Sequence, residues 1–304
     1  VSSAEQVVPA HSTALKWPRR PSWYPRLHRS ELTWAIAFLL PYAIMFFAFV
    51  AVPVAYGFTL TSEPSLYAEL VSDPLYARTA LNTLLFVGLG VNLKMFLALL
   101  LSGFFMRRSW WVKALLVIYI LPWALPAIPA FVSFHWMLIS EQGFIDSLLS
   151  VLFGIDGPLW FTDRWLAFGS NLVAYVWKWL PFWTLVFLAG RMAIPQEIYE
   201  AAAVDGATGT RRFVNVVFPL LANLYLVSTL LSTLWTVGDF TTVYLVSGGA
   251  PALSTEVLST LAIHYAYDAV RPPLGLAAVV SALPVLIPIA IVLMRRVQTR
   301  EVQL

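Results

Sequence analysis

The 304-residue sequence has no cysteine and few charges, and each shortage closes off a class of function. Without cysteine there is no disulfide framework and no thiolate metal site. The four histidines are scattered, with no His-Glu-x-x-His and no paired spacing suited to a metal. No G-x-x-x-x-G-K-[ST] segment occurs, so the chain has no P-loop with which to bind ATP itself. A membrane-embedded enzyme would want His, Asp or Glu clustered near one interface, and no such cluster is present. Charged residues make up 12% of the chain, against about 25% in a typical soluble protein. What fills the chain instead is apolar, 60% of it, and the pattern is that of an all-α integral membrane protein. The net charge of +3 points to no nucleic-acid partner.

A membrane helix needs about 20 apolar residues. Six stretches meet that need: Trp34 to Leu60, Leu81 to Met106, Val112 to Leu138, Leu166 to Gly190, Leu220 to Val246, and Leu274 to Met294. The first is too long for a signal peptide and lacks a small-residue cleavage site, so it reads as an uncleaved span. Pro41 and Pro53 predict kinks or early ends within it. Residues 1–30 form a polar, basic tail, and 31–304 the six-helix domain.

The distribution of cations orients the chain. With the N-terminus inside, the cytoplasmic side holds Lys16, Arg19, Arg20, Arg26 and Arg29, then Arg107, Arg108 and Lys113, then Arg191, Arg211 and Arg212, and finally Arg295, Arg296 and Arg300. That is fourteen of the nineteen Lys and Arg, against Arg78, Arg164 and Arg271 outside. The bias predicts N-in, C-in topology. The outer segments are acidic and aromatic, with Glu63, Glu69, Asp73, Glu141, Asp146, Asp156 and Asp163. Phe144 to Phe153 has the makings of a short interfacial helix, with Trp160 and Trp165 at headgroup level.

The most informative interruption is cytoplasmic, within residues 191–219. Gln196 to Ala203 reads as a short helix, with Pro195 at its start, Glu197 and Glu200 near its N-terminal end and three alanines at its close. Asp205-Gly206 reads as a stop and turn. A second helical stretch begins near Thr210 and runs toward Pro219. The alanines make a narrow surface able to enter a groove, and Glu200 can accept a partner's Arg or Lys. By composition alone it is an ordinary loop between spans.

Glu200-Ala201-Ala202, Asp205-Gly206-Ala207, Phe213 and Phe218-Pro219 resemble the EAA loop of ABC importer permeases. Phe218 stands where that pattern has Leu, and Asn223 where many members have a further Pro. The resemblance extends over roughly residues 39–294. It includes Leu40-Pro41, Val52-Pro53, Asn82-Thr83-Leu84, Gly248-Gly249, Ser254-Thr255, Tyr265-Ala266-Tyr267 and Gly275, and is nearest to carbohydrate-uptake permeases of the maltose and glycerol-phosphate type. It implies a MetI-like, type I importer core in the bacterial inner membrane, and a non-enzymatic transport subunit. It further implies a homologous second permease, two ATP-binding subunits that carry the ATP and Mg, and an external solute-binding protein. No cofactor or metal is implied in this chain. Glu200, Ala201, Ala202, Asp205, Gly206 and Ala207 would couple to the ATPase.

Inside the membrane, Asp239 is the sharpest residue, because a carboxylate in a span usually faces a cavity or a partner. Ser232, Trp235, Thr236, Asp239 and Thr242 follow helical spacing and predict one shared face, for pore lining or for interhelical bonding. Tyr175, Trp179 and Phe182 form a second stripe. In the maltose-type permease the positions matching Tyr175, Trp179, Phe182, Ser232, Trp235, Thr236 and Asp239 line the sugar site, although most residue types differ. Lys178 has three candidate partners: Asp239, an anionic solute or the second permease. Lys94 awaits a carboxylate or snorkels. His135 reads as a hydrogen-bonded histidine or a solute contact.

The resemblance implies half of the translocation pathway for a sugar, oligosaccharide or polyol. An ABC permease for glycerol phosphate is one alternative. An ion-coupled secondary carrier is another, with Asp239 and Lys178 as its ion site. Such carriers need no ATPase-docking loop and often show internal repeats, which are not evident here.

Overall fold

The computed structural model describes residues 24–107, 109–140 and 143–301, with side chains described between 34 and 297. Most of the expected basic tail, including Lys16, Arg19 and Arg20, lies outside these residues, as do Arg108 and Glu141. All regular structure among the described residues is helical. The chain divides into two compact units, Val1–Thr59 and Leu60–Leu304.

The first unit holds α1 (Tyr24–Phe46), a π-helical turn at Phe47–Ala51, and the start of α2 (Val52–Leu60). Trp34–Leu60 is apolar and long enough to cross a membrane. Pro41 sits inside α1 without ending it. The wide turn immediately precedes Pro53, where a proline nitrogen cannot donate to the helical ladder.

In the second unit, α3 (Pro64–Ser72) leads into α4 (Pro74–Phe105). Both start with proline, and the Asp73 carboxylate caps α4 by accepting from the Leu75 amide at 2.8 Å. After α5 (Trp110–Ala124), α6 (Ala127–Met137) and α7 (Phe144–Phe153), α8 (Arg164–Met192) starts in the same way. The Asp163 carboxylate accepts from the Trp165 and Leu166 amides, each at 2.9 Å. Two acids of the outer segments are thus helix caps.

α4 and α8 form the centre of the unit, joined by α11 (Phe218–Val237). Met95, Ala98 and Leu99 pack with Trp183, Phe187 and Leu221. At Gly90 a Cβ would lie 3.2 Å from Leu172 and Tyr175, so the absent side chain lets α4 and α8 approach closely. Lipid tails are as apolar as leucine, so close packing and interhelical hydrogen bonds, not water exclusion, hold such helices together.

Two sequence expectations need correction. The run Val112 to Leu138 is two helices, α5 and α6, bent by 95°. Leu125-Pro126 makes the break: proline disfavours helical geometry in the residue before it, and Leu125 is extended at φ −67°, ψ 145°. The run Leu220 to Val246 is also interrupted: α11 starts earlier, at Phe218, and ends at Val237, and α12 (Thr241–Val246) is separate. Asp239 and Thr242 therefore do not continue the face of Ser232, Trp235 and Thr236. The last run stands as one span, Pro272–Val297, built of α14 (Pro272–Val280) and α15 (Leu283–Glu301) across a two-residue turn and preceded by the short α13 (Leu258–Ile263). Among the described residues, five helices are long and apolar enough to cross a membrane, and six spans result when the bent pair counts as one.

Candidate functional site

The loop Ala193–Thr208 carries α9 (Gln196–Val204), and its exit is closed by backbone bonds. The Ala207 amide donates to the Ala202 carbonyl at 2.8 Å, and the Gly206 amide to the Ala203 carbonyl at 3.1 Å. This is the 6→1 and 5→2 pair of a Schellman motif, and it requires the left-handed residue that Gly206 supplies at φ 71°. Ala202 and Ala207 are buried, whereas Glu200, Ala201, Ala203, Val204, Asp205 and Gly206 are exposed. Two alanines, Ala201 and Ala203, and the Glu200 carboxylate therefore project from a short helix.

The root of α9 is fastened to the spans through Arg191. Its Nε donates to Ser102 Oγ at 2.7 Å and its Nη2 to the Leu99 carbonyl at 3.0 Å, both on α4. Tyr199 of α9 donates to the Arg191 carbonyl at 3.1 Å. Burial raises the Tyr199 phenol above its ordinary pKa, against the opposing pull of Arg191 and Arg212. α9 is thereby tied to both α4 and α8.

The polar residues inside the membrane form a hydrogen-bonded chain. Lys94 Nζ donates to Tyr175 Oη at 2.5 Å, Tyr175 is bonded to Thr236 Oγ1, and Thr236 donates to the Ser232 carbonyl at 2.5 Å. Lys94, Tyr175, Ser232 and Thr236 are all buried, and Lys94 also feels the charge of Asp239. Asp239 sits in the break between α11 and α12. Its Oδ1 accepts from the Thr242 amide at 3.1 Å and its Oδ2 from Thr242 Oγ1 at 2.7 Å. The carboxylate thus caps α12, which explains why the span turns there.

Lys178 does not pair with Asp239 but with backbone carbonyls. Its Nζ donates to the carbonyls of Pro122 at 2.8 Å and Trp123 at 3.3 Å, and to that of Leu125. It occupies the C-terminal end of α5, where the exposed carbonyls and the helix dipole favour a cation. His135 donates through Nδ1 to the Val246 carbonyl at 2.8 Å and stacks on Phe161, so it is a hydrogen-bonded histidine.

Of the two aromatic stripes, Trp235 is 51% exposed, Phe182 and Trp179 are half-buried, and Tyr175 is enclosed. Phe182 lies 6.0 Å from Trp235, 4.9 Å from Trp183 and 5.5 Å from Trp123, centroid to centroid. The structure therefore brings Phe182 and Trp235 together and adds Trp123 and Trp183, which sequence reasoning missed. Trp123 lies at the end of a continuous apolar run, where nothing local distinguishes it.

Two quoted motifs meet at the outer end. Asn82 is fully buried, and its Nδ2 donates to the carbonyls of Ser254 and Glu256, each at 2.8 Å. Its Oδ1 accepts from Arg164 Nη2 at 2.9 Å. Thr83 Oγ1 accepts from the Leu258 amide at 2.8 Å and so caps α13. Gly248 and Gly249 both have positive φ, and a Cβ on Gly249 would lie 2.8 Å from the Glu256 carboxylate. The Asn-Thr pair thus anchors the loop after α12.

Residues 94–301 match the model of the binding-protein-dependent transport system inner membrane component family. The chain is 31% identical to the sulfoquinovosyl glycerol transport system permease protein SmoG of Agrobacterium fabrum, over 79% of this chain and 82% of that one. It is 33% identical to the trehalose/maltose transport system permease protein MalF of Thermococcus litoralis, over 66% and 67%. In fold it is similar to a bacterial ABC transporter involved in import of the acidic polysaccharide alginate, with TM-score 0.76 at 21% identity, covering 92% of this chain and 99% of that one. The α9 loop, its fastening to the spans and the multi-helix membrane core all lie within or overlap the matched region, and the chain belongs to the family of binding-protein-dependent transport system inner membrane components.

Proposed function

We propose that this ABC importer permease forms half of the pathway for a neutral or weakly charged sugar, oligosaccharide or polyol. The observation that carries the reading is the group Trp123, Phe182, Trp183 and Trp235, with Trp235 open on one side. Aromatic rings present flat apolar faces against which the C–H faces of a sugar stack, while few polar groups are needed to orient it. Relatives named for trehalose and maltose and for diacetylchitobiose support the same class. An anionic solute such as glycerol phosphate would want a free cation. Lys178 is engaged by three carbonyls, and Lys94 is enclosed beside Tyr175 and under the charge of Asp239. Those engagements favour a neutral solute over the phosphate named for another relative.

In this reading Tyr175, Trp179, Phe182, Ser232, Trp235, Thr236 and Asp239 belong to the pathway in two layers. Trp179, Phe182 and Trp235 meet the solute, and Tyr175, Ser232, Thr236 and Asp239 hold the wall behind them. Glu200, Ala201, Ala202, Asp205, Gly206 and Ala207 seat the α9 knob in an ATP-binding subunit. A homologous second permease completes the pathway, two ATPases supply ATP and Mg, and an external binding protein delivers solute at the outer loops. The N-in, C-in orientation places α9 beside the ATPases.

The test is reconstitution with the ATPase, second permease and binding protein, followed by ATP hydrolysis measured against neutral disaccharides, neutral oligosaccharides, glycerol phosphate and uronate oligomers. Stimulation by neutral saccharides, lost in Trp235→Ala with assembly intact, is expected. Stimulation by the anionic compounds alone would overturn the neutral-solute reading. Cysteines placed at Thr208 and Asp156 should label from the cytoplasm and from outside respectively, and external labelling at Thr208 would reverse the orientation.

A further inference from the structure

At the cytoplasmic root of α9 lies a cleft of about 510 Å³ that transport through the pathway does not use. Its two sides differ in chemistry. One is apolar, made by Leu100, Met106, Phe213 and Val217 at the inner ends of α4 and of the helix leading into α11. Leu100 and Met106 are exposed, as is the neighbouring Val214. The other side is polar and cationic, with Arg191, Arg212, Tyr199 and Thr210. No carboxylate lines the cleft among the described residues.

Among the described residues, no carboxylate is paired with either guanidinium group. Arg191 is 7% exposed, and it donates to the Ser102 hydroxyl and the Leu99 carbonyl, both neutral. It stacks over Phe213 at 5.3 Å, and Arg212 stacks over Tyr199 at 5.8 Å. The stacking holds both cations in fixed positions over aromatic faces. A buried guanidinium with neutral partners keeps its positive potential, and a concave, low-dielectric wall focuses it.

An apolar wall running into a cationic floor, at the depth where spans meet the cytoplasm, matches one kind of molecule. The geometry points to an anionic phospholipid of the inner leaflet, with its phosphate between Arg191 and Arg212 and its acyl chains along Leu100 and Met106. Basic pockets between helices on the cytoplasmic side take such headgroups. A soluble anion would use the cations and leave the apolar wall idle, whereas a phospholipid uses both. Because Arg191 and Tyr199 also fasten α9 to α4 and α8, a lipid seated there steadies the joint through which α9 moves the spans. Anionic lipid then acts as a structural component of coupling.

The experiment uses the assembled transporter with its ATPases, in nanodiscs of phosphatidylcholine alone or with one quarter phosphatidylglycerol. Native mass spectrometry of the detergent-released complex counts retained lipid, and binding-protein-stimulated ATP hydrolysis is read in parallel. Wild type should retain phosphatidylglycerol over phosphatidylcholine, and Arg212→Gln should reduce that preference about fivefold, the attraction of one basic residue to an anionic surface. Arg296→Gln, an exposed cation on α15, should leave it unchanged. Stimulated hydrolysis should rise with phosphatidylglycerol in wild type and respond less in Arg212→Gln. Equal retention of the two lipids in wild type would overturn the proposal, as would an undiminished preference in Arg212→Gln. Phosphatidylglycerol binding that appears only after the ATPases are stripped would also overturn it, because the cleft would then belong to the ATPase contact.

Discussion

Asn82 on α4 and Glu256 in the loop after α12 stand 174 residues apart in sequence, and the Asn82 amide donates to the Glu256 carbonyl at 2.8 Å. The same side chain holds Ser254 and accepts from Arg164, so one amide ties α4, α8 and the outer loop together. Asn82→Ala leaves two buried carbonyls and a guanidinium without that partner. Each orphaned group costs about 1–3 kcal/mol. The expected outcome is a clearly lower thermal midpoint and faster proteolysis near Ser254. Asn82→Asp should be milder toward Arg164 but should still lose both carbonyl bonds.

Lys94 and Tyr175 form a second linked pair, buried between α4 and α8. Tyr175→Phe leaves the ammonium without its hydroxyl acceptor, a cost of roughly 1.5–3 kcal/mol for a hydrogen bond to a charged group. Lys94→Met removes the charge along with its need for a partner. The double variant should therefore be more stable than the sum of the singles predicts, by about 0.5–3 kcal/mol. Thermal unfolding of all four proteins in one detergent measures that coupling. Strict additivity would mean the bond contributes nothing.

What could be seen beforehand was mostly local chemistry. Asp205-Gly206 announced its turn because a left-handed C-cap needs only adjacent residues to form. Phe144 to Phe153 became α7 with the boundaries its apolar pattern gave, ending at Gly154 with φ 66°. The bend at Leu125-Pro126 was marked by its proline, but apolar residues on both sides made the run look continuous. Asp73 and Asp163 stood out as external acids, and their capping roles follow from the residues directly after them. Lys178 was beyond reach: its acceptors lie 53 to 56 residues earlier and are backbone carbonyls, which every residue carries. Asp239 was noticed for its charge, yet the charge ends one helix and starts another, which shifts it off the predicted face.

Lys178 offers a direct discrimination between architecture and solute binding. Lys178→Met removes the donor to three carbonyls at the end of α5 and should destabilise the protein by roughly 1.5–3 kcal/mol. The solute concentration for half-maximal stimulation should stay unchanged in whatever fraction remains folded. A large shift in that concentration with an unchanged thermal midpoint would instead make Lys178 a solute contact.

Glu69 and Arg271 form a bidentate pair outside the spans, joining α3 to the residue before α14. The hydrogen bond from Arg271 lowers the Glu69 pKa from its ordinary 4.5. A depressed carboxyl contributes stability above its unfolded pKa and loses it as pH falls through the folded value. The contribution should therefore fade below pH 4.5, and Glu69→Gln should remove that part of the acid sensitivity. Both side chains are exposed, so the effect should be small and shrink further in high salt. Thermal midpoints of both proteins between pH 7 and pH 3 give the comparison.

The last prediction concerns the α9 knob, where backbone conformation and function meet. Gly206 holds φ 71°, and nothing lies within 4 Å of where its Cβ would sit. Substitution there meets no neighbour, so any penalty comes from the backbone alone. Gly206→Asn should be tolerated, since Asn visits the left-handed region several-fold more often than most residues. Gly206→Val should open the Schellman closure, because a β-branched residue resists positive φ, and the Ala207–Ala202 and Gly206–Ala203 bonds go with it. Glu200→Lys leaves that closure intact and reverses one exposed charge of the knob, at a cost of about 1.5–3 kcal/mol in a charge-assisted bond to the ATPase. All three variants should insert normally, since α9 contributes nothing to the spans' apolar length. In nanodiscs with every partner present, Gly206→Asn should keep stimulated ATP hydrolysis. Gly206→Val and Glu200→Lys should both lose it and bind the ATPase more weakly. If Gly206→Val hydrolyses ATP at the full stimulated rate, the shape of the knob has no part in coupling; if only Glu200→Lys does, shape matters and charge does not.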